Sequence, residues 1–234
     1  MEEYVMVPLF NPPSHADNAM GKYAAMNCPG GAGGANITAP AVADPETGKM
    51  YISSHKACFA LRLIPGEESD LLFPNSTGIN TARYANGVRG ATARPPRLSS
   101  GIPIVKPPYS RITAIDMNSG DHLWMIANAD TPDRIKNHVL LEGVDLPRTG
   151  VPTRSGIFVT KSLLFQTEGT GAAGASPIFR AINKETGDIV AEIDLPFNQT
   201  GLPFTYEHEG KQYIAMFIGG AGNPAELVVM ALPD

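Results

Sequence analysis

The sequence predicts an all-β fold assembled from repeated units of about four strands, and three observations carry that prediction. Glycine and proline are abundant, 24 and 21 of the 234 residues, with short apolar runs between them and no collagen-like period. That combination favours strands joined by long loops. No window sustains a 3.6-residue apolar period over three turns, so helix content is expected to be low. The third observation is internal repetition. The stretch RITAIDMNSGDHLW at 111–124 returns as RAINKETGDIVA at 180–191, with Ala181, Asn183, Thr186 and Gly187 standing where Ala114, Asp116, Ser119 and Gly120 stand. Self-similarity of this length points to a repeat architecture, a β-propeller or a pair of β-sandwiches.

Taken in order, residues 1–29 hold almost no periodic pattern; Pro8, Pro12 and Pro13 break the opening, as expected of a segment crossing a surface built by other parts of the fold. A glycine-rich loop follows, Gly30 to Asn36. A phosphate-cradling loop needs a Lys-Ser/Thr close behind it or a helix to open, and Ile37-Thr38-Ala39-Pro40 provides neither. The loop is therefore read as thin, so that its backbone can approach another group closely. Asp44 to Lys49 is a turn, with Asp44 and Glu46 expected in solvent. Residues 50–55 and 58–64 alternate as strands, and 65–109, rich in proline, is a long insertion. The central hairpin turns at Asn118-Ser119-Gly120, where Ala114 leaves a flat spot for a ring such as that of Trp124. Residues 128–146 read as a loop with one short helical turn. Residues 156–160 and 163–167 pair across Lys161-Ser162, a second glycine-rich loop spans 169–175, and 177–183 with 188–195 form the second hairpin. Strands at 204–207, 212–217 and 226–232 close the chain.

Composition excludes several classes. Net charge is −5, with no basic stripe or aromatic RNA-reading motif, so no nucleic-acid partner is expected. No apolar run approaches the roughly 20 residues of a membrane-spanning helix. The opening MEEYVMVPLFNPP lacks the basic and apolar regions of a signal peptide. Cys28 and Cys58 could pair but are expected to be two ordinary thiols. His208 between Glu207 and Glu209 is not expected to bind metal, since alternation on a strand places the glutamates on one face and the histidine on the other.

Six motifs in order, GGAN (33–36), DPETGKMYIS (44–53), KPPYSRITAIDMNSGDHLW (106–124), VTKSLLFQTEGT (159–170), RAINKETGDIV (180–190) and TGLPFTYEHEGKQYIAMFIGG (200–220), resemble the C-terminal region of quinoprotein dehydrogenases. These enzymes depend on pyrroloquinoline quinone (PQQ), and the likeness is to the membrane-bound glucose dehydrogenase type. The resemblance implies a partial β-propeller, residues 1–234 forming about the last three blades of an eight-bladed ring. It implies an activity as well: oxidation of a glucose-like sugar or an alcohol by PQQ with Ca²⁺, electrons passing to a quinone acceptor, in the periplasm. In that family the Ala-x-Asp…Thr-Gly…Trp segment docks one blade on the next; Ala114, Asp116, Gly120 and Trp124 match it, with Ser119 in place of Thr. Ala191 replaces the tryptophan in the second copy, so a weaker dock is expected there. The general base and the Ca²⁺ ligands are implied to lie in earlier blades, the missing N-terminal blades of the same propeller, and no catalytic or metal residue is assigned here. Two residues are implied as cofactor contacts. Asn36 matches the asparagine whose amide meets the quinone, although Ile37 stands where the family has an aromatic. Arg154 falls near a cofactor-channel loop, its guanidinium suited to carboxylates. The alternative reading is a propeller scaffold or binding module without cofactor.

Overall fold

The computed structural model describes residues 4–6, 12, 14–15, 17–28, 34–35, 40–64, 83–85, 97–153, 155–168, 176–220 and 222–231. In chain order the strands are β1 (Tyr4–Val5), β2 (Ser14–His15), β3 (Ala24–Asn27), β4 (Gly34–Ala35), β5 (Val42–Asp44), β6 (Lys49–His55), β7 (Phe59–Ile64) and β8 (Arg83–Ala85). They continue with β9 (Ser110–Asp116), β10 (His122–Ala127), β11 (Ile157–Val159), β12 (Leu163–Thr167), β13 (Ile178–Asn183), β14 (Ile189–Asp194), β15 (Phe204–His208), β16 (Lys211–Gly220) and β17 (Asn223–Ala231). Between β10 and β11 lie a one-turn helix α1 (Asp133–Lys136) and a 3-10 turn (Val139–Leu141), two short turns where the sequence predicts one.

The chain forms two compact units. One gathers residues 1–33 and 56–106, the other 34–55 and 107–234. In the first, β3 pairs with β1 in parallel and with β7 antiparallel, while β2 and β8 also pair with β7. Ala24 and Ala25 are fully buried, their small side chains letting the backbones come close. The β3–β7 ladder ends at Asn27↔Phe59, and the next residue on each side, Cys28 and Cys58, follows in the same register. The two form a disulfide with Cα atoms 4.5 Å apart, within the range such a bond requires. The expectation of two ordinary thiols is thus corrected, because residues 1–29, aperiodic in sequence, contribute a strand that delivers Cys28 to its partner.

The second unit is three antiparallel sheets, each of them a blade. Blade 1 is ordered β10-β9-β6-β4, with β5 also on β6; blade 2 is β11-β12-β13-β14; blade 3 is β15-β16-β17. The repeated hairpins share one register at their matching positions. Trp124 lies opposite Ala114 and Ala191 opposite Ala181, and each hairpin carries a register shift beside that position. Both turns close alike: Gly120 N–H donates to Asp116 O and Gly187 N–H to Asn183 O, each at 2.8 Å.

Blades 1 and 2 share a core of Tyr51, Ile112, Ala114, Ile157, Leu164 and Ile182. The Trp124 ring crosses to blade 2, where its Nε1–H donates to Lys184 O at 3.1 Å. Gly187, at φ +82°, lies under that ring; a Cβ there would stand 3.0 Å from Trp124 Cε3 and from Ile126 Cγ2. The blade-to-blade dock expected of Trp124 is therefore present. Blade 3 seats differently. No ring stands at Ala191, and the contact runs instead through Phe158, Phe179 and Leu195 against Met216 and Ile218. Phe165 stacks between Phe158 and Phe179 with centroids 4.8 and 5.3 Å away.

Asp44 is a second correction. It is 5 % exposed rather than solvated, because Lys184 crosses from blade 2 and its Nζ donates to Asp44 Oδ2 at 2.5 Å. Thr47 Oγ1–H donates to the same oxygen at 2.7 Å. The Lys184 ammonium, then the Thr47 hydroxyl, hold the carboxyl down at about 2. At the far turn β15 ends at His208; Glu209 leaves the strand at φ 52°, so strand alternation does not govern its side chain.

Candidate functional site

Alternation along β13 builds the site from one strand. Arg180 and Ile182, with Lys184 just past the strand's end, are buried towards blade 1: Ile182 enters the shared core, Lys184 reaches Asp44 at one end, and Arg180 occupies the other. At the Arg180 end the connections β6 to β9, β10 to β11 and β12 to β13 all begin or end, since Ser54 and His55 pair with Arg111 and Ser110, and Thr167 with Phe179.

That end is polar and buried. Asn128, 1 % exposed, donates from Nδ2 to Ser53 Oγ and Ser155 Oγ, both at 2.9 Å, linking the close of blade 1 to the start of blade 2. Gln199 has the corresponding role in the next blade, accepting at Oε1 from Thr167 Oγ1–H at 2.6 Å and Gly156 N–H at 3.2 Å. Between them Thr149, Thr153 and Ser155 are buried. Gly150, at φ +69°, lets the connection press against β9; a Cβ there would sit 2.4 Å from Ser110 O.

Charge is concentrated on Arg180, 1 % exposed. Its Nε–H donates to Glu192 Oε1 at 2.6 Å and one terminal nitrogen to Asp130 Oδ2 at 2.9 Å. The other terminal nitrogen donates to Glu168 Oε1 and, at 3.3 Å, to Gln166 Oε1. A buried guanidinium needs such partners, since an unpaired ion is strongly penalised away from water. Burial pushes the Glu168 carboxyl up, against Arg180 and the Ser176 N–H, which stabilise its charged form. Glu168 Oε2 accepts that N–H at 2.7 Å and so closes the base of the connection from β12 to β13. Asp130 also faces Arg148 at 2.7 Å, an ionic contact without hydrogen-bond alignment.

Asn36 and Arg154 both lie outside the described residues. In sequence Arg154 is flanked by the buried Thr153 and Ser155, and Asn36 follows β4, which pairs with Ser54 and His55 at this end. Sequence reasoning missed Arg180, Glu168, Asp130, Asn128 and Gln199. A usable signal existed in β12 and β13: Gln166 and Arg180 are polar residues at inward positions of otherwise apolar strands, a pattern that demands a partner across the sheet. The Asn128 amide and the Arg180 guanidinium are already engaged, and among the described residues Gln166 Nε2 and Arg148 Nε are buried without an acceptor. These two free donors are of the kind that an acceptor-rich group such as the carboxylated quinone PQQ takes. Among the described residues no three His, Cys, Asp or Glu side chains gather to hold a metal, and no helix is long and apolar enough to cross a membrane.

Residues 1–214 match the family described as PQQ: Glucose/ethanol/alcohol dehydrogenase, beta-propeller domain. Over 146 residues, 58% of the chain and 18% of the relative, it is 37% identical to the glycerol dehydrogenase large subunit of Gluconobacter thailandicus. Over 212 residues, 87% of the chain and 25% of the relative, it is 28% identical to the quinate/shikimate dehydrogenase (quinone) of Acinetobacter baylyi. The chain thus spans a quarter or less of the length of these two curated relatives. The crystal structure of quinohemoprotein alcohol dehydrogenase from Comamonas testosteroni is similar in fold, with a TM-score of 0.51 at 20% identity, covering 86% of this chain and 26% of that one. Successive antiparallel sheets, a tryptophan dock between them and a family match across most of the chain agree: this protein belongs to the PQQ-dependent glucose/ethanol/alcohol dehydrogenase β-propeller family.

Proposed function

We propose that residues 1–234 are the C-terminal portion of a quinoprotein propeller that oxidises a sugar or an alcohol and passes the electrons to a quinone acceptor. The observation that carries this reading is the segregation of buried amide, hydroxyl and guanidinium groups at one end of blades 1 and 2, in a chain whose family is defined by PQQ. When bound, PQQ supplies the two-electron acceptor for oxidation of the carbinol carbon. This chain's own residues bind and orient. Asn36 would donate its amide to the quinone and Arg154 would pair with a carboxylate of the cofactor, while the Asn128–Ser53–Ser155 cluster holds the adjoining strand ends in place. The catalytic base and the Ca²⁺ ligands are supplied by blades outside these residues.

Two further points support the reading. The disulfide suits an oxidising compartment such as the periplasm. The apolar face that blade 3 turns away from blade 2 suits another blade of the same propeller. The test is dye reduction by the protein expressed from its own gene, supplied with PQQ and Ca²⁺ and offered glucose, glycerol and simple alcohols. Turnover that collapses in Asn36→Ala and Arg154→Ala through weaker PQQ binding is the expected result. No turnover with any polyol or alcohol would leave the scaffold reading in its place.

A further inference from the structure

The connection from β10 to β11 makes an excursion, carrying α1 and the 3-10 turn, before returning to the polar end of the blades. Its neck is tied by a small set of contacts. Thr149 N–H donates to Thr131 Oγ1 at 3.1 Å, and Thr131 Oγ1–H donates to Pro147 O at 3.4 Å. Beside that neck stands Asp130, with both carboxylate oxygens engaged. Oδ1 faces Arg148 on the returning limb at 2.7 Å, and Oδ2 accepts from the buried Arg180 of blade 2 at 2.9 Å. Among the described residues Arg180's remaining partners, Gln166, Glu168 and Glu192, belong to blade 2. Asp130 is therefore the member of this network that joins the excursion to the blade. Just past Arg148 the chain is threaded inward: Tyr109 N–H donates to Thr149 O at 2.6 Å and Val151 N–H to Asn128 O at 3.0 Å, and the buried Thr153 and Ser155 follow.

We propose that Asp130 is a positioning residue for the cofactor: by bridging Arg148 and Arg180 it fixes the 149–153 stretch at the blade end. This rests on the function proposed above, because it needs a cofactor bound at that end. A merely structural role is separable. The Asp130 side chain is 51% exposed, and Arg180 keeps Glu192 and Glu168 as carboxylate partners when Asp130 is lost, so the buried guanidinium is not stranded and the pair adds little to global stability. Its removal should leave the melting temperature close to that of the parent.

The experiment compares parent, Asp130→Asn and Asp130→Glu, each as the protein expressed from its own gene, by calorimetric titration with PQQ and by amide hydrogen exchange without it. Asp130→Asn should weaken PQQ binding about tenfold or more and speed exchange of the Thr149 and Val151 amides about tenfold, with an unchanged melting temperature. Asp130→Glu, which keeps the charge, should recover most of both. Parent-like PQQ affinity or parent-like exchange in Asp130→Asn would each overturn the proposal. If the parent itself binds no PQQ, the proposed function fails in that arm, while the exchange arm reports on its own whether Asp130 holds the stretch.

Discussion

The Asp44 side chain shows how far a residue's surroundings can depart from its local sequence. Pro45, Glu46, Thr47 and Gly48 make a tight turn, and Gly48 N–H donates to Asp44 O at 2.9 Å. Such a turn alone leaves the carboxylate in water. Burial comes instead from Lys184, 140 residues away in sequence, whose ammonium reaches Oδ2 in the native fold only. The pair therefore carries a pH signature. A carboxyl held at about 2, against 3.8 when unpartnered, contributes stability that is complete above about pH 4 and is lost as the pH falls towards 2. Asp44→Asn should cost about 3–5 kcal/mol at pH 7, since it strands a buried ammonium, and should flatten the acid limb between about pH 4 and 2. Urea midpoints across that range read both effects.

At the scale of the element, the hairpin was legible to a fine grain. Ala114, Asp116, Ser119 and Gly120 recur as Ala181, Asn183, Thr186 and Gly187, and the structure repeats even the register shift between the paired strands. A third version of the same turn lies outside that repeat: Asp44 to Gly48 closes with the same hydrogen bond as Asp116 to Gly120 and Asn183 to Gly187. Turn chemistry is local, so sequence reports it well. The partners of Arg180 come from β12, from β14, from the residue just past β12 and from a distant connection, and no local pattern encodes that meeting. The half-cystine at Cys28 escaped for the same reason, since its strand owes its place to β7 rather than to its own periodicity. The dock between hairpins gives a direct prediction. Trp124→Ala should destabilise by about 3–5 kcal/mol. Trp124→Phe should recover some of this but leave Lys184 O without its donor, a remaining loss of about 1–3 kcal/mol. Thermal melts followed by far-ultraviolet circular dichroism measure the difference.

Over the whole molecule the third blade is apolar on both faces. Ile214, Met216 and Ile218 of β16, with Val228 and Met230 of β17, pack on blade 2. The alternate positions Phe204, Phe217, Leu227 and Val229 are 45–52 % exposed, and they meet apolar residues across the strands, Phe217 opposite Leu227 and Phe204 opposite Ala215. Tyr206 stacks on Tyr213 at 5.2 Å along the same surface. A contiguous apolar sheet face of this kind is unusual on a monomer and promotes association. Residues 1–234 expressed alone should therefore elute from size exclusion as aggregates, and Phe217→Lys with Leu227→Glu should shift the product towards monomer. A monodisperse parent would count against a further blade on that face. The first dock has a consequence for watching any of this happen. Trp124 is the chain's single tryptophan, and its half-buried indole lies against Gly187 and donates its N–H to the carbonyl of Lys184. Indole emission from this protein thus comes from one seam, and its colour and quenching follow the parting of blades 1 and 2 while remaining blind to the departure of blade 3.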